Sequence, residues 1–186
     1  AAKRSWGVQS KHAHNNVYGS CQTDVWRRDF SVNALLYDVQ RHEVIDYCHG
    51  FEDIQLRIIR LLGHPDQRFQ EDPVRVLRAI RLSAKLSFSI ESETEAALVR
   101  QCHRLSEASP DRLYLEVVKL FYSGHAQASW ACLLQYPVLP VLFPSLSACF
   151  SEKGCVQQFL NAAFERTDAR LAIGKHLNSA FLFAVL

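Results

Sequence analysis

At His64-Pro65 the hydrophobic pattern of this chain changes period, and that change restricts the possible folds more than any other feature. Before it, Val32, Ala34 and Leu36 alternate with Asn33, Leu35 and Tyr37. Val44-Ile45-Asp46-Tyr47 then follows the polar break Gln40-Arg41-His42-Glu43, a pattern that predicts a β-hairpin. His49-Gly50-Phe51-Glu52-Asp53 reads as a turn into a short helix, and the apolar stretch from Arg57 to Leu62 stops at Gly63. After the change, only helical spacing is visible. Asp72-Pro73 opens a long helix, with Val76, Leu77, Ile80, Ala84 and Leu86 along one face. Further helices are predicted over 91–105, 110–122, 126–136 and 156–169. Ser92 with Glu95 suggests a capping box, Ser109 precedes a first-turn Pro110, and Gly124 closes the helix over 110–122. The fold class is therefore α+β and mostly helical. Three parts are expected: 1–62 with the strands, a helical 63–130, and a second helical part over 131–186. Residues 1–23 show no sustained period and read as loop.

A 48% hydrophobic content over 186 residues is enough to fill a sizeable core, which argues against disorder. The formal charge of +2 neither demands nor excludes a polyanionic partner, so local clustering has to decide. Cys21, Cys48, Cys102, Cys132, Cys149 and Cys155 form no Cys-x-x-Cys pair and read as buried thiols of a reducing compartment. No apolar run approaches the roughly 20 residues that span a bilayer, and no signal-peptide core is visible. The expectation is a soluble cytoplasmic protein. The chain begins without methionine and stops inside the apolar run 180–186, so it reads as a piece of something longer.

Three clusters carry candidate chemistry. Arg27, Arg28 and Asp29 stand at the entrance to the hairpin. Two guanidiniums can grip phosphate oxygens bidentately, while a carboxylate among cations stays ionised and available to a divalent metal. From spacing alone, a surface ion pair at a strand entrance ranks ahead of that reading. The second cluster places Asp72, Arg75, Arg78 and Arg81 three apart, a slanted stripe on one helix side. A carboxylate and a guanidinium together match a nucleobase edge, and a row of arginines matches phosphates; a solvated face laced by weak ion pairs is the plainer alternative. The density of arginine without lysine favours bidentate recognition. In the third cluster, Arg112 and Glu116 are four apart and are expected to pair on one face. His12, His14, His42 and His49 do not have the spacing of a zinc site. Familiar glycine-rich phosphate loops, nucleophile elbows and an Asp-x-Asp pair are absent from the sequence.

Five ordered blocks resemble the class II nucleotidyltransferases, the bacterial poly(A) polymerases and tRNA CCA-adding enzymes. They are Asn16-Val17-Tyr18-Gly19-Ser20; Arg27-Arg28-Asp29-Phe30-Ser31-Val32-Asn33-Ala34-Leu35; Asp46-Tyr47 with Gly50 and Asp53; Arg60-Leu61-Leu62-Gly63; and the stretch from Glu71 to Arg81. Asn-Val-Tyr-Gly-Ser and Leu36-Tyr37 look most like the poly(A) polymerase branch. The resemblance implies the distal part of a head domain, then a helical neck, then the start of an RNA-binding body. It also implies roles: Arg27 and Arg28 on triphosphate and ribose, Asn33 beside them, and Asp29 as a catalytic carboxylate at a Mg2+ or Mn2+ centre. Asp72 and Arg75 would hold the incoming adenine of ATP, Arg78 would support that pocket, and Arg81 would meet RNA. Arg112 and Glu116 match a later motif of structural character. The implied reaction is template-independent addition of AMP to RNA 3′ ends, the polyadenylation that promotes RNA decay in bacteria, with the RNA-decay machinery as a possible partner. The family's Gly-Gly-x-x-Arg-Asp turn and Asp-x-Asp ligands do not occur in this sequence, so the segment alone is expected to be inactive. CCA addition, and a non-enzymatic helical RNA-binding module, are the alternatives.

Overall fold

Helical periodicity over residues 75–86 produces the element on which the rest is assembled. In the structure, a computed structural model that describes residues 20–150 and 154–186, α4 runs Arg75–Leu86 and buries Val76, Leu77, Ala79, Ile80, Leu82 and Ala84. Asp72 starts it: its carbonyl accepts from Arg75 N at 3.1 Å, and its Oδ1 accepts from Val74 N at 3.2 Å, satisfying donors that a helix start leaves open. Ser87, at φ 55°, ends it, and Phe88 N reaches back to the Ser83 carbonyl at 3.1 Å.

The preceding region contains α1 (Cys21–Arg27), a 3-10 turn (Ser31–Asn33), β1 (Leu36–Asp38), β2 (Glu43–Ile45), α2 (Gly50–Leu56) and β3 (Ile58–Ile59). β1 and β2 form the expected antiparallel hairpin, with Tyr37 opposite Val44. Its first strand begins later than the alternation suggests. Ser31 N donates to the Arg60 carbonyl at 3.0 Å and Ser31 Oγ donates to the buried Asp53 at 2.6 Å, which turns the chain before it can extend. Asp53, 2% exposed, also accepts from Arg60 Nε at 3.1 Å, so it joins two of the sequence blocks. Asp46 organises the start of α2 by accepting from Cys48 N, Gly50 N and Phe51 N. Burial pushes the Asp46 carboxyl up, but those backbone bonds outweigh it and hold the group below its ordinary value. Gly50 has no room for a side chain, since a Cβ there would press into the Ser31 carbonyl.

The helical region adds α3 (Pro65–Glu71), β4 (Ser89–Ile90), α5 (Ser92–Gln101), a 3-10 segment (Cys102–Glu107), α6 (Pro110–Phe121), α7 (Ala126–Leu133), α8 (Leu139–Leu142), α9 (Pro144–Phe150), α10 (Gly154–Ala172) and α11 (Ser179–Val185). Helix α3 is not signalled by periodicity. The capping box at Ser92 is corrected: Glu91 caps α5, its Oε2 accepting from Thr94 N at 2.9 Å. The helix predicted over 91–105 changes to 3-10 geometry after Gln101.

The two regions are joined rather than merely adjacent. β3 pairs in parallel with β4, Ile59 opposite Ile90, and Leu61 N donates to Thr94 Oγ1. One core contains Phe30, Ile59 and Leu61 together with the buried faces of α3 to α7, α10 and α11. Phe121 stacks on Phe164 with centroids 4.5 Å apart, and Trp130 tilts against Phe164 at 5.4 Å, contacts worth about 0.5–1.5 kcal/mol each beyond area burial. All six cysteines are free thiols, but only Cys48 and Cys102 are buried; Cys21, Cys149 and Cys155 are exposed, which corrects the expectation of buried thiols. No helix among the described residues is long and apolar enough to cross a membrane. The block Asn16 to Gly19, His12, His14 and most of the loop expected over 1–23 lie outside the described residues.

Candidate functional site

Phe30 forms an isolated antiparallel bridge with Leu61, and Leu62 N donates to the Asp29 carbonyl at 2.9 Å. This backbone pairing presents Asp29 to α4. Arg75 Nε donates to Asp29 Oδ1 at 2.7 Å and Arg78 Nη1 donates to Oδ2 at 2.6 Å. Arg68 from α3 stands 3.8 Å from Oδ1, while its Nη2 donates to the carbonyls of Arg27 and Arg28. Burial raises the Asp29 carboxyl, but the hydrogen bonds and charges of Arg75 and Arg78 together hold it below its ordinary value. The sequence places a carboxylate among cations here, and the structure agrees. The cations bonded to it, however, are not its neighbours Arg27 and Arg28 but Arg75 and Arg78, 46 and 49 positions away.

Arg75 is committed further: Nη1 donates to the Arg68 carbonyl at 2.6 Å and lies 3.4 Å from Glu71 Oε2. Asp72 turns the other way, pairing through Oδ2 with Arg112 Nη2 at 2.6 Å. The predicted Asp72–Arg75 edge is thus divided between two partners, and neither side chain holds a base without exchanging one. The expected Arg112–Glu116 pair does not form either. Glu116 instead faces Arg78 Nε at 3.5 Å, Arg81 Nε at 3.6 Å and Lys119 Nζ at 2.9 Å.

Six of the sequence-predicted residues do converge. Arg27, Arg28, Asp29, Asn33, Arg78 and Arg81 line one cleft of about 530 Å3, together with Phe30 and Leu82. Glu116 and Lys119 complete its wall, giving five cationic side chains against two carboxylates. Arg28 is oriented by the Asn33 carbonyl at 2.8 Å and by Asp24 at 3.2 Å, whereas the Arg27 side chain has no polar partner among the described residues. Sequence reading missed Glu116 and Lys119 as cleft residues. The signal was present, because positions 112, 116 and 119 share a side of α6.

This chemistry suits a polyphosphate better than a metal. Both oxygens of Asp29 accept from guanidiniums, and among the described residues no group of three or more His, Cys, Asp or Glu side chains is placed to hold a metal ion. The residues described therefore do not fit the divalent ion expected at Asp29.

Comparison with known proteins bears on the family. A family model described as "Poly A polymerase head domain" matches residues 2–60, and one described as "Probable RNA and SrmB- binding site of polymerase A" matches residues 87–150. Poly(A) polymerase I of Salmonella typhimurium is 37% identical over 174 residues, 92% of this chain and 37% of that protein. The CCA-adding enzyme of Blochmanniella floridana is 35% identical over 151 residues, 80% of this chain and 36% of that enzyme. A solved tRNA nucleotidyltransferase, complexed with a primer tRNA and an incoming ATP analog, superposes with a TM-score of 0.72 at 28% identity, covering 87% of this chain and 47% of that one. The chain belongs to the nucleotidyltransferase family of poly(A) polymerases and CCA-adding enzymes. It spans 37% of the length of the Poly(A) polymerase I it matches.

Proposed function

We propose that this chain is the part of a polynucleotide adenylyltransferase that grips the triphosphate of ATP and leads an RNA 3′ end toward it. The observation that carries this reading is the five-cation cleft, built jointly by the Arg27-Arg28 turn and by α4 and α6. The broader match to Poly(A) polymerase I than to the CCA-adding enzyme, 92% against 80% of the chain, favours ATP as the sole substrate. In the head, neck and body arrangement, the cleft stands where head meets neck.

In the reaction, the RNA 3′-hydroxyl attacks the α-phosphorus of ATP and pyrophosphate leaves. Arg27, Arg28, Arg78 and Lys119 hold the triphosphate, and their charges stabilise the negative charge that builds on the departing oxygens. Arg81 meets the phosphate of the RNA end. Asp29 acts here as a positioning carboxylate, fixing Arg75 and Arg78, and no step is assigned to it through a metal. Asp72 and Arg75 read the adenine by releasing Arg112 and Glu71 when the nucleotide enters.

Primer extension by the whole protein, offering each nucleoside triphosphate separately, tests the proposal. Long ATP-dependent tails on generic RNA support it, with Arg75→Ala impairing ATP use more than RNA binding. Short additions that require CTP, confined to tRNA lacking its terminal CCA, transfer the same cleft to CCA addition. RNA binding without incorporation leaves only a binding module.

A further inference from the structure

Arg68, on α3, touches both halves of the site without lining the cleft. We propose that Arg68 is the positioning residue that couples the base end of the site to its triphosphate end, by holding the backbone of the Arg27-Arg28 turn in register with Arg75. The proposal rests on the reading that Arg27 and Arg28 grip a triphosphate and that Arg75 meets the base.

The Arg68 side chain is 15% exposed, and its donors go mainly to main chain. Nη2 donates to the Arg28 carbonyl at 2.7 Å and to the Arg27 carbonyl at 3.2 Å. Two successive carbonyls held by one nitrogen fix the peptide between them, and with it the directions in which the two arginine side chains leave the backbone. Arg28 is also oriented by the Asn33 carbonyl and by Asp24, but Arg27 has no such side-chain tie, so its backbone is what aims it into the cleft. Asp29 Oδ1, at 3.8 Å, is too far to be a hydrogen-bond partner of Arg68. Neutralising Asp29 is therefore the work of Arg75 and Arg78, and Arg68 is left to the turn.

The same residue is joined to Arg75 in two ways. The Arg68 carbonyl accepts from Arg75 Nη1 at 2.6 Å. Glu71 Oε2 is shared, with Arg68 Nη1 at 3.2 Å and Arg75 Nη1 at 3.4 Å. When Arg75 turns to a base, Glu71 is left to Arg68 alone, and a carboxylate oxygen with one guanidinium partner holds it more firmly than one divided between two. Reading the base thereby tightens the tether on the turn that grips the triphosphate. The frame under Arg68 is rigid: Asp66 accepts from Arg100 Nη2 at 2.6 Å and from Gln101 Nε2 at 2.9 Å, fastening α3 to α5, and Phe69 is fully buried. Arg68 Nε is buried without an acceptor among the described residues, a cost that stability alone does not explain.

The test is equilibrium binding of ATP and of inorganic tripolyphosphate, which has no base, to the whole protein, with binding of fluorescent oligo(A) measured on the same preparations. Arg68→Ala is expected to weaken tripolyphosphate binding about fivefold and ATP binding about twentyfold, because ATP loses the coupling as well as the grip, while oligo(A) binding stays constant. Dilute guanidinium chloride should restore most of both losses, and sodium chloride at equal ionic strength should not. Arg68→Lys keeps the charge without the planar fork and should fall between Arg68→Ala and the unaltered protein. In a double-mutant cycle with Arg75→Ala, the losses in ATP affinity should be less than multiplicative. Tripolyphosphate binding unchanged by Arg68→Ala overturns the proposal, as does a fully multiplicative cycle. Should the alanine variant lose oligo(A) binding as well through misfolding, Arg68→Lys decides: weakened ATP and tripolyphosphate binding beside intact oligo(A) binding upholds the coupling, and unchanged binding of all three overturns it. A protein that adds no AMP yet binds tripolyphosphate in an Arg68-dependent way retains the coupling and loses the polymerase reading; normal AMP addition with tripolyphosphate binding indifferent to Arg68 does the reverse.

Discussion

Asp29 and Glu116 are two acids that face the arginines of α4, and their surroundings differ. Asp29 has both oxygens bonded within 2.7 Å and its carboxyl held below the ordinary value. Glu116 is more deeply buried, with its side chain 6% exposed against 20% for Asp29, yet its two arginines stand at 3.5 and 3.6 Å and its Oε2 has no hydrogen-bond donor. Arg78 belongs to both, bonding Asp29 through Nη1 and approaching Glu116 through Nε. The contrast separates a closed junction, which fastens the Arg27-Arg28 turn to the helical region, from an open one, which keeps cations oriented in a cleft without saturating them.

The largest effect that separates the two junctions is Asp29→Ala. It leaves Arg75 and Arg78 partly buried without their counter-charge, and chemical denaturation is expected to show a loss of about 3 kcal/mol. A loss below about 1 kcal/mol would mean that the junction is not what fastens the turn. The acid limb of stability follows from the same bond. A carboxyl whose folded value is depressed contributes stability above its unfolded value and loses it as pH falls through the folded one. Asp29 does so below its ordinary 3.8, and Asp66, held down to about 2 by Arg100 and Gln101, does so between 3.8 and about 2. Asp29→Asn should therefore flatten the decline below pH 3.8, while Asp66 maintains the part that runs down to about 2.

The open junction should respond differently. Glu116→Gln keeps the shape and removes the charge, with an expected stability loss of about 1 kcal/mol. Its effect belongs in function: kcat/KM for ATP in the whole protein should fall about tenfold, and Lys119→Ala should cost less in the Glu116→Gln background than alone, because both act on one cluster. Equal stability losses for Glu116→Gln and Asp29→Asn, with unchanged kinetics, would erase the distinction between the two junctions.

Much of the fold was legible because it depends on local periodicity. Helices α4, α6 and α10 carry one buried face each, and hydrophobic spacing reports that directly, whereas the half-buried to exposed hairpin is marked by the polar break from Gln40 to Glu43. What escaped was decided by distant partners. Ser31 to Asn33 alternates like a strand but turns because Asp53 and Arg60 bind Ser31. Helix α3 has seven residues, too few to display a period, and is held by Arg68 and Asp66 contacts to other elements. At the site, residue types were readable and pairings were not. Spacing proposes partners within one helix turn, whereas Asp29 meets arginines 46 and 49 positions away.

The smallest effect tests that lesson at its sharpest point. Spacing on α6 pairs Arg112 with Glu116, and the folded chain pairs Arg112 with Asp72, 40 positions earlier. Arg112 is half exposed, so water screens the contact and a coupling of only about 0.5 kcal/mol is expected from an Asp72→Asn/Arg112→Gln double-mutant cycle. The parallel cycle between Arg112 and Glu116 should give a coupling indistinguishable from zero. The reverse result would return Asp72 to solvent in the nucleotide-free protein, and adenine would then meet a free acid rather than one that must first release an arginine. The same pair of cycles repeated with a bound ATP analogue distinguishes the two: exchange predicts that the Asp72–Arg112 coupling disappears on binding.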